Sequence, residues 1–115
     1  MTITVDLVVA GADDEAIQTI VAAARSGRKV LVVIGSPHPA VGRRLRRALR
    51  TSHPDVRRHV SVMSGAQIVC SDGVAGIEAI VIRRIKTGRL IGVNASAIDS
   101  RASGQATRSP TQLRA

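Results

Sequence analysis

The chain has 115 residues, 44% of them apolar, which fits one globular domain and excludes a disordered chain. It carries 17 Lys and Arg against 8 Asp and Glu, a net charge of +9, and contains no Phe, Tyr or Trp. Its single cysteine excludes a disulfide framework, and no apolar run approaches the roughly 18 residues of a membrane helix. Because no basic segment followed by an apolar one opens the chain, we expect a cytoplasmic protein.

The first third of the chain predicts a βαβ unit. Residues 5–9 are apolar except for Asp6 and predict a buried strand, and Asp13 is a candidate N-cap with two acidic residues after it. One helical face then follows at i, i+3, i+4 and i+7, formed by Ile17, Ile20, Val21 and Ala24. Gly27 is placed to end this helix. Residues 30–34 are apolar on both faces, as in a central parallel strand.

The middle of the chain predicts a second helix over residues 40–50. Two prolines in residues 35–39 exclude a helix interior there and indicate a loop. The buried face of the helix is formed by Val41, Leu45, Ala48 and Leu49. The segment 52–55 breaks the helical pattern, and residues 60–62 predict a short strand.

The last part of the domain predicts β-structure. Residues 68–70 indicate a further strand, and residues 71–73 have turn chemistry or start a short helical turn. Residues 79–86 and 89–93 flank Thr87-Gly88 and predict a β-hairpin.

This order of elements predicts a three-layer, Rossmann-like α/β domain over residues 1–99. We expect its sheet to be small, mixed and partly parallel, with a C-terminal β-hairpin that adds antiparallel edge strands. Residues 100–115 are small and polar, without periodicity, and carry three arginines and no acid. They predict a disordered basic tail.

Positive charge is concentrated on the second helix and just beyond it. Seven arginines share this stretch with one acid, Asp55, and they are Arg43, Arg44, Arg46, Arg47, Arg50, Arg57 and Arg58. Arginine binds phosphate through paired hydrogen bonds, so such a stripe is typical of a nucleic-acid-binding protein. A solvated surface, or docking on an acidic protein or on another copy of the chain, is the alternative explanation.

A second group of cations lies near the turn of the predicted hairpin, at Arg83, Arg84, Lys86 and Arg89. A ribbon with a basic tip can enter a groove of duplex DNA, although charge on a hairpin also discourages edge-to-edge pairing. The chain has no aromatic rings on which single-stranded bases could stack. We therefore expect a non-catalytic accessory protein that binds nucleic acid, mainly duplex and without sequence specificity, through its phosphates. This interpretation requires the two basic groups to share one exposed face.

The carboxyl edge of the parallel strands offers an alternative ligand site. Gly11, Gly35, Ser36 and His38 fall at this edge, where a nucleotide or sugar phosphate could bind. The loop at Gly35 lacks the G-x-x-x-x-G-K-[ST] pattern, and G-x-G-x-x-G is absent too. A module that only contacts other proteins is a further alternative.

Cys70 could be a nucleophile approached by His38, but its neighbours Ile68 and Val69 favour a buried, inert cysteine. Positions 38, 53, 59 and 70 do not match a zinc-ligand spacing. We accordingly expect no metal, no cofactor and no catalytic residue.

Overall fold

The computed structural model describes residues 2–35, 39–74 and 76–99. The elements run in the order β1 (Thr2–Ala10), α1 (Asp14–Arg25), β2 (Val30–Ile34), α2 (Pro39–Arg50), α3 (Pro54–Arg58), β3 (Val60–Ser64), β4 (Ala66–Val74), β5 (Ile77–Arg84) and β6 (Leu90–Asp99). Within these ranges, no helix has both the length and the apolar character needed to cross a membrane. Ser36, His38 and the predicted tail at 100–115 lie outside the described residues.

The six strands of the described ranges form one sheet in the order β3-β2-β1-β6-β5-β4. Neighbours among β3, β2, β1 and β6 run parallel, whereas β4, β5 and β6 form an antiparallel meander. The predicted mixed α/β sheet and the hairpin around Thr87-Gly88 are therefore confirmed.

Gly65 determines how the sheet is folded. β3 and β4 lie at opposite ends of the strand order, yet this one residue joins them, with a φ of 66° that favours glycine. The sheet must therefore curl, so that the meander lies over one face of the parallel strands.

The two faces of β2 show the resulting layers. Val32 packs on one side with Ile20 of α1 and Leu45 of α2. Val33 packs on the other side with Ile68 of β4 and Ile82 of β5. β2 is buried throughout because a layer covers each of its faces, which explains its unbroken apolar run.

Local chemistry explains the ends of α1. Asp13 caps the first turn with its side chain, as predicted, and Gly27 follows the C-cap Ser26 with a φ of 89°. The α1 prediction is thus confirmed at both ends.

Several segments differ from prediction, and β1 and β6 in addition run longer than the predicted residues 5–9 and 89–93. A short helix, α3, occupies Pro54–Arg58, where only a break was expected; Nδ1 of His53 accepts from the N–H of Asp55 at 3.2 Å, and Pro54 suits a first turn. Residues 71–73, expected to turn, continue β4 because β5 supplies a complete antiparallel partner. β3 extends to Ser64, since parallel pairing with β2 continues to Ile34.

Candidate functional site

The carboxyl ends of β1 and β2 meet at one edge of the sheet, where ligands of open α/β folds bind. Gly11 follows β1 and Gly35 follows β2, at the edge where the sequence places the alternative ligand site. Gly11 has a φ of 109°, and its N–H donates to the carbonyl of Val33 at 2.9 Å. This hydrogen bond holds the β1–α1 turn against the end of β2.

The first turn of α1 is capped by the side chain of the residue before it, Asp13. Oδ1 of Asp13 accepts from the N–H of Ala16 at 2.8 Å, so the carboxylate lies over the helix N-terminus. Asp14 and Glu15 follow in the first turn, and all three acidic residues are exposed. These carboxylates match the positive end of the helix dipole, and they repel an approaching anion.

Two apolar residues complete this corner. Ala16 is 0% exposed and shares a core with Leu7 and Val9 of β1, so α1 packs on β1 at a residue without a long side chain. Ile34, the last residue of β2, is buried in the core that α1 and α2 share. The spacing of Gly11, Asp13 and Ala16 is the sequence signal for this turn, whereas the prediction from sequence centred on the loop at Gly35, between a strand and a helix.

The structure brings part of the arginine group together. Arg46 and Arg50 of α2 and Arg57 of α3 line a shallow pocket of about 250 Å³ beside Leu49. Arg44 lies 3.5 Å from Asp14, and Arg58 lies 3.5 Å from Asp55. Arg43 and Arg47 are exposed. Ion pairs this exposed contribute about 0–1 kcal/mol to stability, so they hold the arginine side chains only weakly in position.

The hairpin cations belong to another layer. Arg83, Arg84, Lys86 and Arg89 are exposed around the β5–β6 turn, and β5 packs through Ile82 into the core opposite the one that holds Leu45 of α2. Arg84 and Lys86 line a cavity of about 530 Å³ with Gly35, Ser64, Gly65, Ile85 and Thr87. The elements that carry the two basic groups, α2 and β5, therefore pack on opposite faces of the parallel strands.

Cys70 is exposed, so the expectation of a buried cysteine is wrong. The pairing of β4 with β5 shifts between Ile68 and Cys70, and this bulge leaves Val69 and Cys70 both exposed. Among the described residues, no three His, Cys, Asp or Glu side chains form a group that could hold a metal ion.

No family model and no curated protein matches the chain. Solved structures do share its fold. A myxobacterial chondrochloren halogenase, a variant of the FAD-dependent halogenases, has a TM-score of 0.66 at 14% identity, over 93% of this chain and 39% of its own. A flavoprotein/dehydrogenase from Cytophaga hutchinsonii has a TM-score of 0.65 at 13% identity, over 86% and 39%. The flavin-dependent monooxygenase PieE, solved with FAD and substrate, has a TM-score of 0.63 at 12% identity, over 84% and 30%.

The chain thus spans less than two fifths of each of these proteins. At such identities the likeness establishes the Rossmann-like fold. The prediction of a non-catalytic nucleic-acid-binding protein is wrong: the solved structures described above that share this fold are flavin-dependent enzymes, and the elements that carry the two basic groups pack on opposite faces of the parallel strands.

Proposed function

We propose that the chain is a dinucleotide-fold domain of a flavin-dependent oxidoreductase, in which it builds the fold beside the cofactor without binding the cofactor's pyrophosphate. The observation that carries this proposal is the carboxylate of Asp13 on the N-terminus of α1, 2.8 Å from the N–H of Ala16. That is the place where this fold ordinarily holds phosphates.

The backbone turn and the helix packing of a dinucleotide-binding site are both present. The fold uses one glycine for the tight turn after β1 and a small residue five positions later for close packing of helix on strand. Gly11 has the left-handed φ that such a turn needs. Ala16, fully buried, provides the close packing. The backbone geometry therefore agrees with the fold of the flavin-dependent neighbours.

The residues that would touch the ligand do not fit it. The pattern G-x-G-x-x-G places its second glycine where backbone must approach the pyrophosphate, and here that position is Asp13. Asp14 and Glu15 add two negative charges in the same turn. The acidic residue that would bind a ribose about 20 residues further on is replaced by the buried Ile34. FAD would meet repulsion at its phosphates, and Ile34 offers no acceptor to its ribose.

The proposed role is therefore architectural. The domain packs its three layers as the flavin-dependent neighbours do, and a cofactor, where one is used, is held by other parts of the assembly. The share of the neighbours that the chain spans, 30% to 39% for the three proteins described above, is consistent with one domain of such an assembly.

The test restores the missing contacts. Asp13→Gly combined with Ile34→Glu supplies the second glycine and the ribose acceptor, and FAD binding is measured by equilibrium dialysis. We expect no saturable binding to the wild-type chain and saturable binding to the double variant, at least about tenfold (about 1.4 kcal/mol) tighter than the weakest binding that the dialysis detects. Asp14→Gly with Ile34→Glu is the matched control, since it removes the same charge one residue away.

Tight FAD binding by the wild-type chain would refute the proposal. Equal gains in the double variant and its control would show that charge alone, and not the position of Asp13, governs the site. Far-UV circular dichroism of each variant checks that the carboxylate introduced by Ile34→Glu has not unfolded the core around it.

A further inference from the structure

The cavity between the β3–β4 junction and the β5–β6 turn has the volume of a small-molecule site, about 530 Å³. We propose that this cavity binds a small organic anion with an apolar body, such as an aromatic carboxylate or sulfonate. The inference is independent of the proposed function, because neither Asp13 nor Ile34 lines the cavity.

The walls of the cavity are held together by backbone hydrogen bonds. The N–H of Ile85 donates to the carbonyl of Gly65 at 2.9 Å, which ties the β5–β6 turn to the β3–β4 junction. The N–H of Gly88 donates to the carbonyl of Arg84 at 2.8 Å and closes the turn. Ala66 and Ile82, next to the two walls, are both fully buried. The site is therefore built on rigid elements at its base.

The charge in the cavity has one sign. Among the residues that the structure describes, Arg84 and Lys86 are the ionisable ones of the lining, and none of the described lining residues carries a carboxylate. Neither cation forms an ion pair with a residue that the structure describes. Two uncompensated cations at one opening attract an anion, and the planar guanidinium of Arg84 suits a carboxylate or sulfonate.

The remaining lining favours an apolar ligand body. Ile85 is 51% exposed, although it lies between the fully buried Ile82 and the turn. Gly35 and Gly65 present backbone without side chains and so leave room beside it. Phosphate would leave Ile85 uncovered, and a neutral hydrocarbon would leave two cations unpaired. An amphipathic anion meets both demands.

Anilinonaphthalene sulfonate is a suitable probe, because it combines an anionic group with aromatic rings and the chain has no tryptophan or tyrosine emission of its own. We expect saturable binding to the folded wild-type chain. Arg84→Ala with Lys86→Ala should weaken it about tenfold, and Ile85→Ser should weaken it severalfold. Arg83→Ala is the control, since Arg83 is equally cationic and exposed on the same strand but does not line the cavity.

Competition identifies the ligand class. Benzoate should displace the probe, whereas inorganic phosphate, adenosine monophosphate and benzyl alcohol should do so poorly. Absence of saturable binding, equal weakening by Arg83→Ala, or displacement by phosphate or adenosine monophosphate as effective as by benzoate would each overturn the proposal. Circular dichroism spectra matching the wild type ensure that lost binding reflects a lost site.

Discussion

The carboxylate of Asp13 accepts a hydrogen bond from the backbone N–H of Ala16 at 2.8 Å, across the first turn of α1. This one contact stabilises the helix and covers the place where a ligand phosphate would sit. An N-cap and an anion site need the same N–H groups, so a turn capped in this way favours stability over phosphate binding.

Asp13→Ala should lower the free energy of unfolding by about 1 kcal/mol, because it removes the cap. Denaturant titration followed by far-UV circular dichroism measures this change. Asp14→Ala serves as the comparison: its carboxylate is exposed and 3.5 Å from Arg44, a contact worth little. The loss should be clearly smaller there, and equal losses would mean that the Asp13 hydrogen bond is not formed in solution.

Ala16→Leu should destabilise the domain by about 1–3 kcal/mol, because the fully buried methyl group marks a close approach of α1 to β1. Ala22→Leu, on the exposed side of the same helix, should change stability by less than about 0.5 kcal/mol. Thermal unfolding of both variants measures the two changes in stability. An unchanged stability of Ala16→Leu would contradict the close packing of α1 on β1.

Gly65→Ala should cost about 1–2 kcal/mol, because its φ of 66° is left-handed, although a Cβ there would meet no atom within 4 Å. Gly42 also has open space where a methyl group would lie, but it belongs to α2. Gly42→Ala should therefore stabilise the chain by up to about 1 kcal/mol. Denaturant unfolding should show a lower free energy of unfolding for Gly65→Ala and a higher one for Gly42→Ala. A change in the same direction for both variants would contradict the backbone conformation described for one of the two glycines.

Ile82→Ala should lower stability by about 2–5 kcal/mol, since Ile82 is fully buried in the core between the meander and the parallel strands. Ile85→Ala, three residues away at the cavity, should change stability by less than about 0.5 kcal/mol. Urea titration measures the free energy of unfolding of each variant and so compares the two losses. Similar effects would contradict the placement of the meander over the sheet.

The sequence predicts the elements whose signals are local. The Asp13 cap, the helical apolar face of α1 and the two-sided apolar run of β2 each follow from residue spacing, and the structure agrees. The curling of the sheet could not be predicted, because an apolar face shows that a strand is covered without showing which element covers it. The bulge at Cys70 likewise depends on the pairing of β4 with β5.

The functional prediction failed for a related reason. Arginines on an exposed helix indicate charge, but their position relative to the hairpin depends on tertiary packing, which places α2 and β5 on opposite faces of the sheet. The proposed function depends on Asp13 and Ile34, and their proximity follows from the parallel pairing of β1 with β2, which the sequence does not show.

Titration of FAD into the wild-type chain, with free and bound flavin separated by dialysis, tests the central claim most directly. Because the Asp13 carboxylate caps the N-terminus of α1, we expect no saturable flavin binding to the wild-type chain. The variant Asp13→Gly with Ile34→Glu should bind flavin measurably. Saturable, stoichiometric binding to the unaltered chain would contradict the claim, since it would require phosphates to sit where the Asp13 carboxylate now caps the helix.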